Sequence, residues 1–538
     1  MRSVTTRSWS AIGVLTVLVV MAPSSSASAQ TPYHTALNPR HFPVPDTLVP
    51  NVEFWRAIFS RYDSTQTVIH DNWHLDIVYA VVDVAELERA GLSPVTVERT
   101  RDRRVREAIE TYQGILRRLA GDTSVAVETA DLERVRTLFA RSARGADDYR
   151  AAAERVRGQG GLRDTFGEAL AISGMFMPGI ERILAARGVP IEIRAMPFVE
   201  SMFNYRARSK AGASGVWQFT PATARIYLQM DSVVDARSDV WLAAEGAAAM
   251  LADNYARVQS WPLALTGYNH GIAGMARAVR QLGTRDIGVI AERYRSPSFG
   301  FASRNFYAEF VAAVTVYAER AELFPGVEPL PPLRFDEFTP GRFVSLLDLA
   351  SLTDTDVDEL VEMNPALHED VARGVLLVPA SYPLRVPTNR RPEFERAFAQ
   401  LPDERKRSRQ LTLTYRVQRG DTLSAVARRF GTTTAALQRT NGLRSANRIA
   451  MGQQLEIPGG TGRAGWEPLV WTPGADPSVA RARADAGTAA PQTHRVGRGQ
   501  TLTQIARRYG TTVSRLMQVN ELVTSLIYVG QLLEIPAD

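Results

Sequence analysis

The sequence predicts a mainly α, multidomain protein whose C-terminal part consists of small α+β modules of βααβ type. Three observations carry this. The chain has 538 residues, more than the roughly 100 to 200 of a single domain. Its middle carries apolar residues at helical spacing, and its last quarter contains one strand–helix–helix–strand pattern twice. Hydrophobic residues at 45% and charged residues at 22% exclude a wholly disordered or collagen-like chain.

From the N-terminus, Arg2 and Arg7 precede an apolar stretch, Ala11 to Ala22, and the small residues Ala27, Ser28 and Ala29. This is the pattern of a signal peptide over residues 1–29, with cleavage expected before Gln30. The apolar stretch is shorter than the ~20 residues that span a bilayer. No later segment reads as a span, so the mature chain is expected to be exported, without a transmembrane segment. Residues 30–165 read as helical, with apolar positions at Phe54, Trp55 and Ile58 and again at Leu75, Ile77 and Val78. On that reading His70 and His74 lie four apart on a helix, a spacing that two metal ligands use; no further motif supports a metal.

The formal charge is 63 − 57 = +6 and falls to +4 once Arg2 and Arg7 are removed. Only Lys210 and Lys406 are lysines, and the arginines are spread along the chain among acids. That distribution does not form a nucleic-acid stripe, and no nucleic-acid partner is expected. With no cysteine, the chain lacks disulfides, thiolate metal sites, cysteine nucleophiles and an N-terminal lipidated cysteine.

The middle of the chain carries the chemistry. A helix through Met177 ends near Gly188, and Pro190 opens a second one whose Ile193, Met196 and Val199 face inward. Glu200 follows on that face, flanked by Phe198, Val199, Met202 and Phe203. Desolvation there disfavours the carboxylate and suits Glu200 to act as an acid near neutral pH. A glutamate at a helix end more often faces solvent, so Glu200 gains weight only from its surroundings. These are VESMFN, then Ser209, then GASGVWQFTPATARIYL, then WPLALTGYNHG.

In order and spacing these motifs resemble the soluble lytic transglycosylase family over about Phe166 to Glu322, which implies a goose-lysozyme-like α fold within residues 166–325. The resemblance implies cleavage of peptidoglycan between N-acetylmuramic acid and N-acetylglucosamine without water, leaving a 1,6-anhydromuramoyl end. It implies Glu200 as the one catalytic group, no metal or other cofactor, and substrate contacts at Ser209, Gln218, Tyr268 and Asn269. Gly212, Gly215 and Pro221 would shape the loop that presents Gln218. Trp217 and Phe219 are candidates to stack on sugar rings, with core packing expected of at least one. The chain departs from the family at Gly267 and His270, which flank Tyr268–Asn269, and at Ala302 to Tyr307, where the family's acidic residue and tyrosine are replaced.

Tyr415 to Pro458 and His494 to Pro536 align with one residue of slack. Each has a short strand, a Gly turn, a Thr cap, two helices closed by Asn441 or Asn520, and an alternating last strand. These units, 413–459 and 492–537, resemble LysM modules. The resemblance implies glycan binding at Gly420, Asp421, Thr422, Leu423, Ile449 and Met451. In the second copy it implies Gly499, Gln500, Thr501, Leu502 and Tyr528. Turn and cap chemistry alone also selects several of these residue types. Ser345 to Asn364 aligns without a gap to Thr501 to Asn520, with Asp354 where the repeat has glycine. A degenerate third copy is therefore expected over 334–387. Residues 388–412 read as a charged spacer with a short helix, and 460–491, rich in Gly, Ala, Pro and Arg, as a flexible linker.

Two other function classes remain open at this point. A goose-type hydrolase would need a second carboxylate or a positioned water near Glu200, for which Asp231, Asp235 and Asp239 are the nearest candidates by sequence. A non-catalytic wall-binding protein would be expected to have lost Glu200 or Gln218, and both are present.

Overall fold

The structure, a computed structural model, describes residues 33–124, 127–140, 145–411, 413–430, 432–443, 445, 449–457 and 492–495. Beyond these it describes 505, 509, 515–516, 519–520 and 532–535. The expected signal peptide and the linker 460–491 lie outside the described residues. The chain divides into two compact units, one running to Thr165 and joined by Asp286–Ala318, the other made of Phe166–Arg285 and everything from Glu319.

The first unit corrects the all-helical reading of residues 30–165. Strands Gln66–Asp71, Val78–Asp83 and Val156–Gly160 form an antiparallel sheet with Gln66–Asp71 in the centre. The β-branched runs Thr67-Val68-Ile69 and Val81-Val82 favour extended backbone. The central strand is buried on both faces, so its sequence lacks the polar alternation that marks a half-buried strand. His70 is fully buried in this strand and His74 lies in the following turn, so they do not share a helix face. Burial lowers the His70 pKa to about 4 and keeps the imidazole neutral.

Helix Phe301–Ala318 also belongs to this unit, although the motif boundary placed it in the catalytic region. It packs on helix Val49–Ser60, where Asn51 Nδ2 donates to Asn305 Oδ1 at 2.7 Å. Tyr307 donates to the Pro43 carbonyl at 2.8 Å, and the Phe42 and Phe310 rings meet at 5.3 Å. The departure from the family pattern at Ala302–Tyr307 thus has a local reason. Asn305 and Tyr307 are buried against the N-terminal segment.

The second unit contains most of helix Arg163–Ala186, long and apolar enough by composition to cross a membrane, contrary to the sequence reading. Its Phe166, Leu170, Met175, Phe176, Ile180 and Leu184 are core residues, the packed side of a buried helix. Helices Val240–Val258, Trp261–His270 and Ile272–Leu282 pack in sequence beside one another.

Further on, strands Asp336–Phe338 and Leu384–Val386 pair antiparallel around helices Leu346–Leu352 and Val357–Met363. Asp354 takes φ +47°, a left-handed conformation that Asp tolerates better than most residues. The first C-terminal repeat has the same plan: strands Leu413–Arg416 and Gln454–Ile457 with helices Leu423–Arg429 and Thr434–Thr440. One asparagine repeats through all three copies. Asn364, Asn441 and Asn520 each donate to the carbonyl four residues back and exchange two hydrogen bonds with the backbone of the last strand, at Arg385, Glu456 and Glu534.

The expected spacer 388–412 is corrected as well. Its helix, Arg391–Gln400, packs on strand Asp336–Phe338 and helix Leu346–Leu352, with Phe394 fully buried. The charge that marked it as a spacer lies on its outer face.

Candidate active site

Glu200 lies in the short helix Met196–Ser201, entered through the 3-10 turn Ile191–Ala195. Met196, Phe198 and Phe203 are buried and anchor this turn in the core, while Val199 and Glu200 are half-buried. Met202 and Phe203 both take left-handed φ, +50° and +54°, so the chain stops its helix after Ser201, one residue beyond Glu200. Burial pushes the Glu200 carboxyl up to about 8 and is its cause. The group is therefore mostly protonated at neutral pH and can donate.

The loop after Glu200 is held at several points. Ser201 Oγ donates to the Val216 carbonyl at 2.9 Å. Gly215 has φ +77°, and a Cβ there would enter the Arg237 carbonyl oxygen, which explains why glycine is needed. The Arg237 guanidinium donates to the Gly212 carbonyl at 2.9 Å and pairs with Asp235. Neither Ser201 nor Arg237 was singled out from the motifs. Nothing local distinguishes Arg237 among the chain's many arginines.

The expected substrate contacts divide. Tyr268 reaches the Glu200 neighbourhood: its hydroxyl donates to the Trp217 carbonyl at 2.8 Å, and burial, with the nearby Glu200 charge, holds its pKa well above the usual range. Asn269 is exposed beside it. Gln218 has φ +48° and folds its amide back onto the Gly215 carbonyl at 2.7 Å, so it stiffens the loop it sits in. Ser209 is exposed, and its Oγ accepts from the Ala213 amide at 3.0 Å. Trp217 and Phe219 are both buried, which corrects the suggestion that they stack on sugar rings. Trp217 Nε1 instead donates to the Val240 carbonyl at 3.2 Å. At the departure at Gly267, a methyl would make a tight contact of 3.0 Å with Ile272 Cδ1.

The three aspartates considered as partners for Glu200 have other bonds. Asp231 accepts from the Val233 and Val234 amides, Asp235 pairs with Arg237, and Asp239 caps helix Val240–Val258 and pairs with Arg385.

In the first repeat, Thr422 caps its helix by accepting from the Ala425 amide, and Gly420 turns with φ +89°. The Asp421 carboxylate accepts from Tyr415 and from the Gln418 amide at 2.6 and 2.7 Å. Met451 is 73% exposed, and Ile449 is half-buried and packs against the module's core. Leu423 is 1% exposed and belongs to the module's core, a correction to its expected place in the groove. Gly499, Gln500, Thr501, Leu502 and Tyr528 lie outside the described residues.

Comparison with known proteins fits this arrangement. Residues 180–290 match the family model described as Transglycosylase SLT domain, and residues 415–458 and 494–536 match the LysM domain. By class the chain is a lytic transglycosylase, an enzyme carrying an SLT catalytic domain and LysM modules. It is 26% identical over 347 residues to membrane-bound lytic murein transglycosylase D of Escherichia coli K12, covering 62% of this chain and 70% of that protein. An N-acetylmuramoyl-L-alanine amidase of Staphylococcus epidermidis is 35% identical over 122 residues, 23% of this chain and 33% of that one. Among solved structures, lytic transglycosylase Slt of Pseudomonas aeruginosa matches at 17% identity and a TM-score of 0.24, covering 46% of this chain and 35% of that one.

Proposed function

We propose that this protein is an exported peptidoglycan lytic transglycosylase. It cleaves the bond between N-acetylmuramic acid and N-acetylglucosamine, leaves 1,6-anhydromuramoyl ends, and is retained on the wall by its LysM modules. The observation that carries the reading is Glu200, on the short helix Met196–Ser201 among buried apolar side chains that push its carboxyl up to about 8, while the three aspartates that the sequence offers as its partners are engaged elsewhere.

Protonated Glu200 gives its proton to the glycosidic oxygen as the bond from C1 breaks. The resulting carboxylate takes the proton of the sugar's own C6 hydroxyl as O6 bonds to C1, which regenerates the acid. No water enters, and no second carboxylate is required, unlike the paired carboxylates of most glycoside hydrolases. Tyr268, Gln218 and Ser209 line or stiffen the loop facing the reacting sugars, and Asn269 is exposed to them. Mass spectrometry of products from purified cell wall tests this reading. Anhydro ends, lighter than hydrolysed ends by one water, are expected. Reducing muramic acid ends would assign the protein to the goose-type hydrolases.

A further inference from the structure

One edge of the third repeat is closed by the chain's own continuation. In the strand pairing Phe338 faces Leu384 as Tyr415 faces Leu455. Six residues beyond the first member of each pair stand Val344 and Asp421, and six before the second stand Val378 and Ile449. In the first repeat the Asp421 carboxylate accepts from Tyr415 and the Gln418 backbone amide, and Ile449 is half-buried. Their counterparts are fully buried valines bonded to each other, Val344 N to Val378 O at 3.3 Å and Val378 N to Val344 O at 2.8 Å. The chain's own continuation seals this edge. Phe343 and Arg407 exchange backbone bonds at 3.0 and 2.9 Å, and the Gln410 amide bonds both backbone groups of Leu377 at 2.8 and 2.7 Å.

The opposite end of the same repeat grips the catalytic domain. Ala366 O accepts from the Asp235 amide at 2.8 Å, and the His368 amide donates to Val233 O at 2.8 Å. Arg385, at the position of Glu456 in the first repeat, makes a bidentate, buried pair with Asp239, and its guanidinium lies over the Trp241 ring at 4.6 Å. From Asp239 a short series of contacts leads to the acid. Asp239 caps the helix that begins at Val240, and Val240 O holds Trp217 Nε1. Trp217 O in turn holds Tyr268, and Val216 O holds Ser201, the neighbour of Glu200.

We propose that the third repeat is a brace for the active-site loop and not a glycan-binding module, with Arg385 as a positioning residue for the reaction at Glu200. The role of Glu200 rests on the function proposed above; the brace itself does not. A bidentate guanidinium fixes both distance and orientation of its carboxylate, which suits it to set the register of a helix start beneath a catalytic loop.

The test uses the full chain with Arg385→Gln, Arg385→Lys and the double variant Arg385→Gln/Asp239→Asn. The double variant is needed because a lone Asp239 charge left buried can prevent folding. Steady-state rates are read on soluble glycan oligomers, retention on sacculi by sedimentation, and amide hydrogen exchange over residues 207–219. The brace requires kcat to fall ~10- to 10²-fold in Arg385→Gln, or in the double variant if the single one does not fold, with KM and sacculus retention within about twofold of the parent. Exchange over 207–219 should accelerate, and Arg385→Lys should recover part of both effects. A folded variant with parental kcat and parental exchange overturns the brace, as does loss of sacculus retention with kcat intact. Hydrogen exchange reads the brace even if the parent protein does not cleave glycan, so the two readings fail separately.

Discussion

The Tyr268 hydroxyl donates to the backbone carbonyl of Trp217 at 2.8 Å, a bond that joins two motifs 51 residues apart and brings the phenol close enough to Glu200 for its charge to be felt. Tyr268→Phe keeps the ring and its edge contact with Phe219 but removes this bond. Turnover on soluble glycan should fall ~10-fold, the order expected when the loop that follows a catalytic group loses one tether. A rate equal to the parent's would separate Tyr268 from the reaction.

Glu200→Gln should lower turnover by at least ~10²-fold, since the amide neither gives nor takes the proton. The same substitution has a stability signature of opposite sign. A carboxyl raised to about 8 in the fold binds its proton more tightly there than in the unfolded chain. Its contribution to stability is therefore complete below the unfolded pKa near ~4.3 and is lost as pH rises through about 8. Thermal melting should show Glu200→Gln gaining on the parent between pH 5 and 9, with no such gain at pH 4. A constant difference across this range would mean that Glu200 is not desolvated.

The pH dependence of the reaction follows from the same group. The first step uses protonated Glu200, so kcat/KM for the free enzyme should decline on the alkaline side with a midpoint near 8. A midpoint near an ordinary carboxyl value would contradict this assignment.

Truncation tests the division of labour. Helix Arg391–Gln400 and the Arg407 to Gln410 contacts belong to the third repeat, so a chain ended at Leu411 keeps that repeat whole, whereas one ended near Pro387 does not. The chain ended at Leu411 should retain activity on soluble glycans and lose affinity for sacculi. Restoring one repeat should recover less binding than restoring both, because tethered weak sites gain ~10²- to 10⁴-fold avidity together. Ending at Pro387 exposes Phe394's partners in the core and should lower the melting temperature as well.

His70 supplies a separate check on the first unit. Its pKa near 4 means the unfolded chain binds more protons between its ordinary value near ~6.5 and 4, so stability falls as pH drops through that window. His70→Asn should flatten the acid side of the melting profile. Persistence of the full acid dependence would place its origin in other groups.

The sequence by itself determined the chemistry-bearing motifs and the repeats. Glu200 could be placed because an apolar helix turn and the motifs after it occur in a fixed order. The βααβ units could be placed because the helix caps, the turn glycine and the closing asparagine are local signals, each read within a few residues. Only the tertiary structure decided the rest. It turned the stretch around Ile69 and Val82 into a sheet, because two-sided burial erases the alternation by which a strand is read. It sent Trp217 and Phe219 into the core and joined Arg385 to Asp239 across 146 residues. An arginine and an aspartate so far apart carry no pattern in a chain with many of both. Their pairing exists only because the fold removes both from water and leaves each as the other's partner.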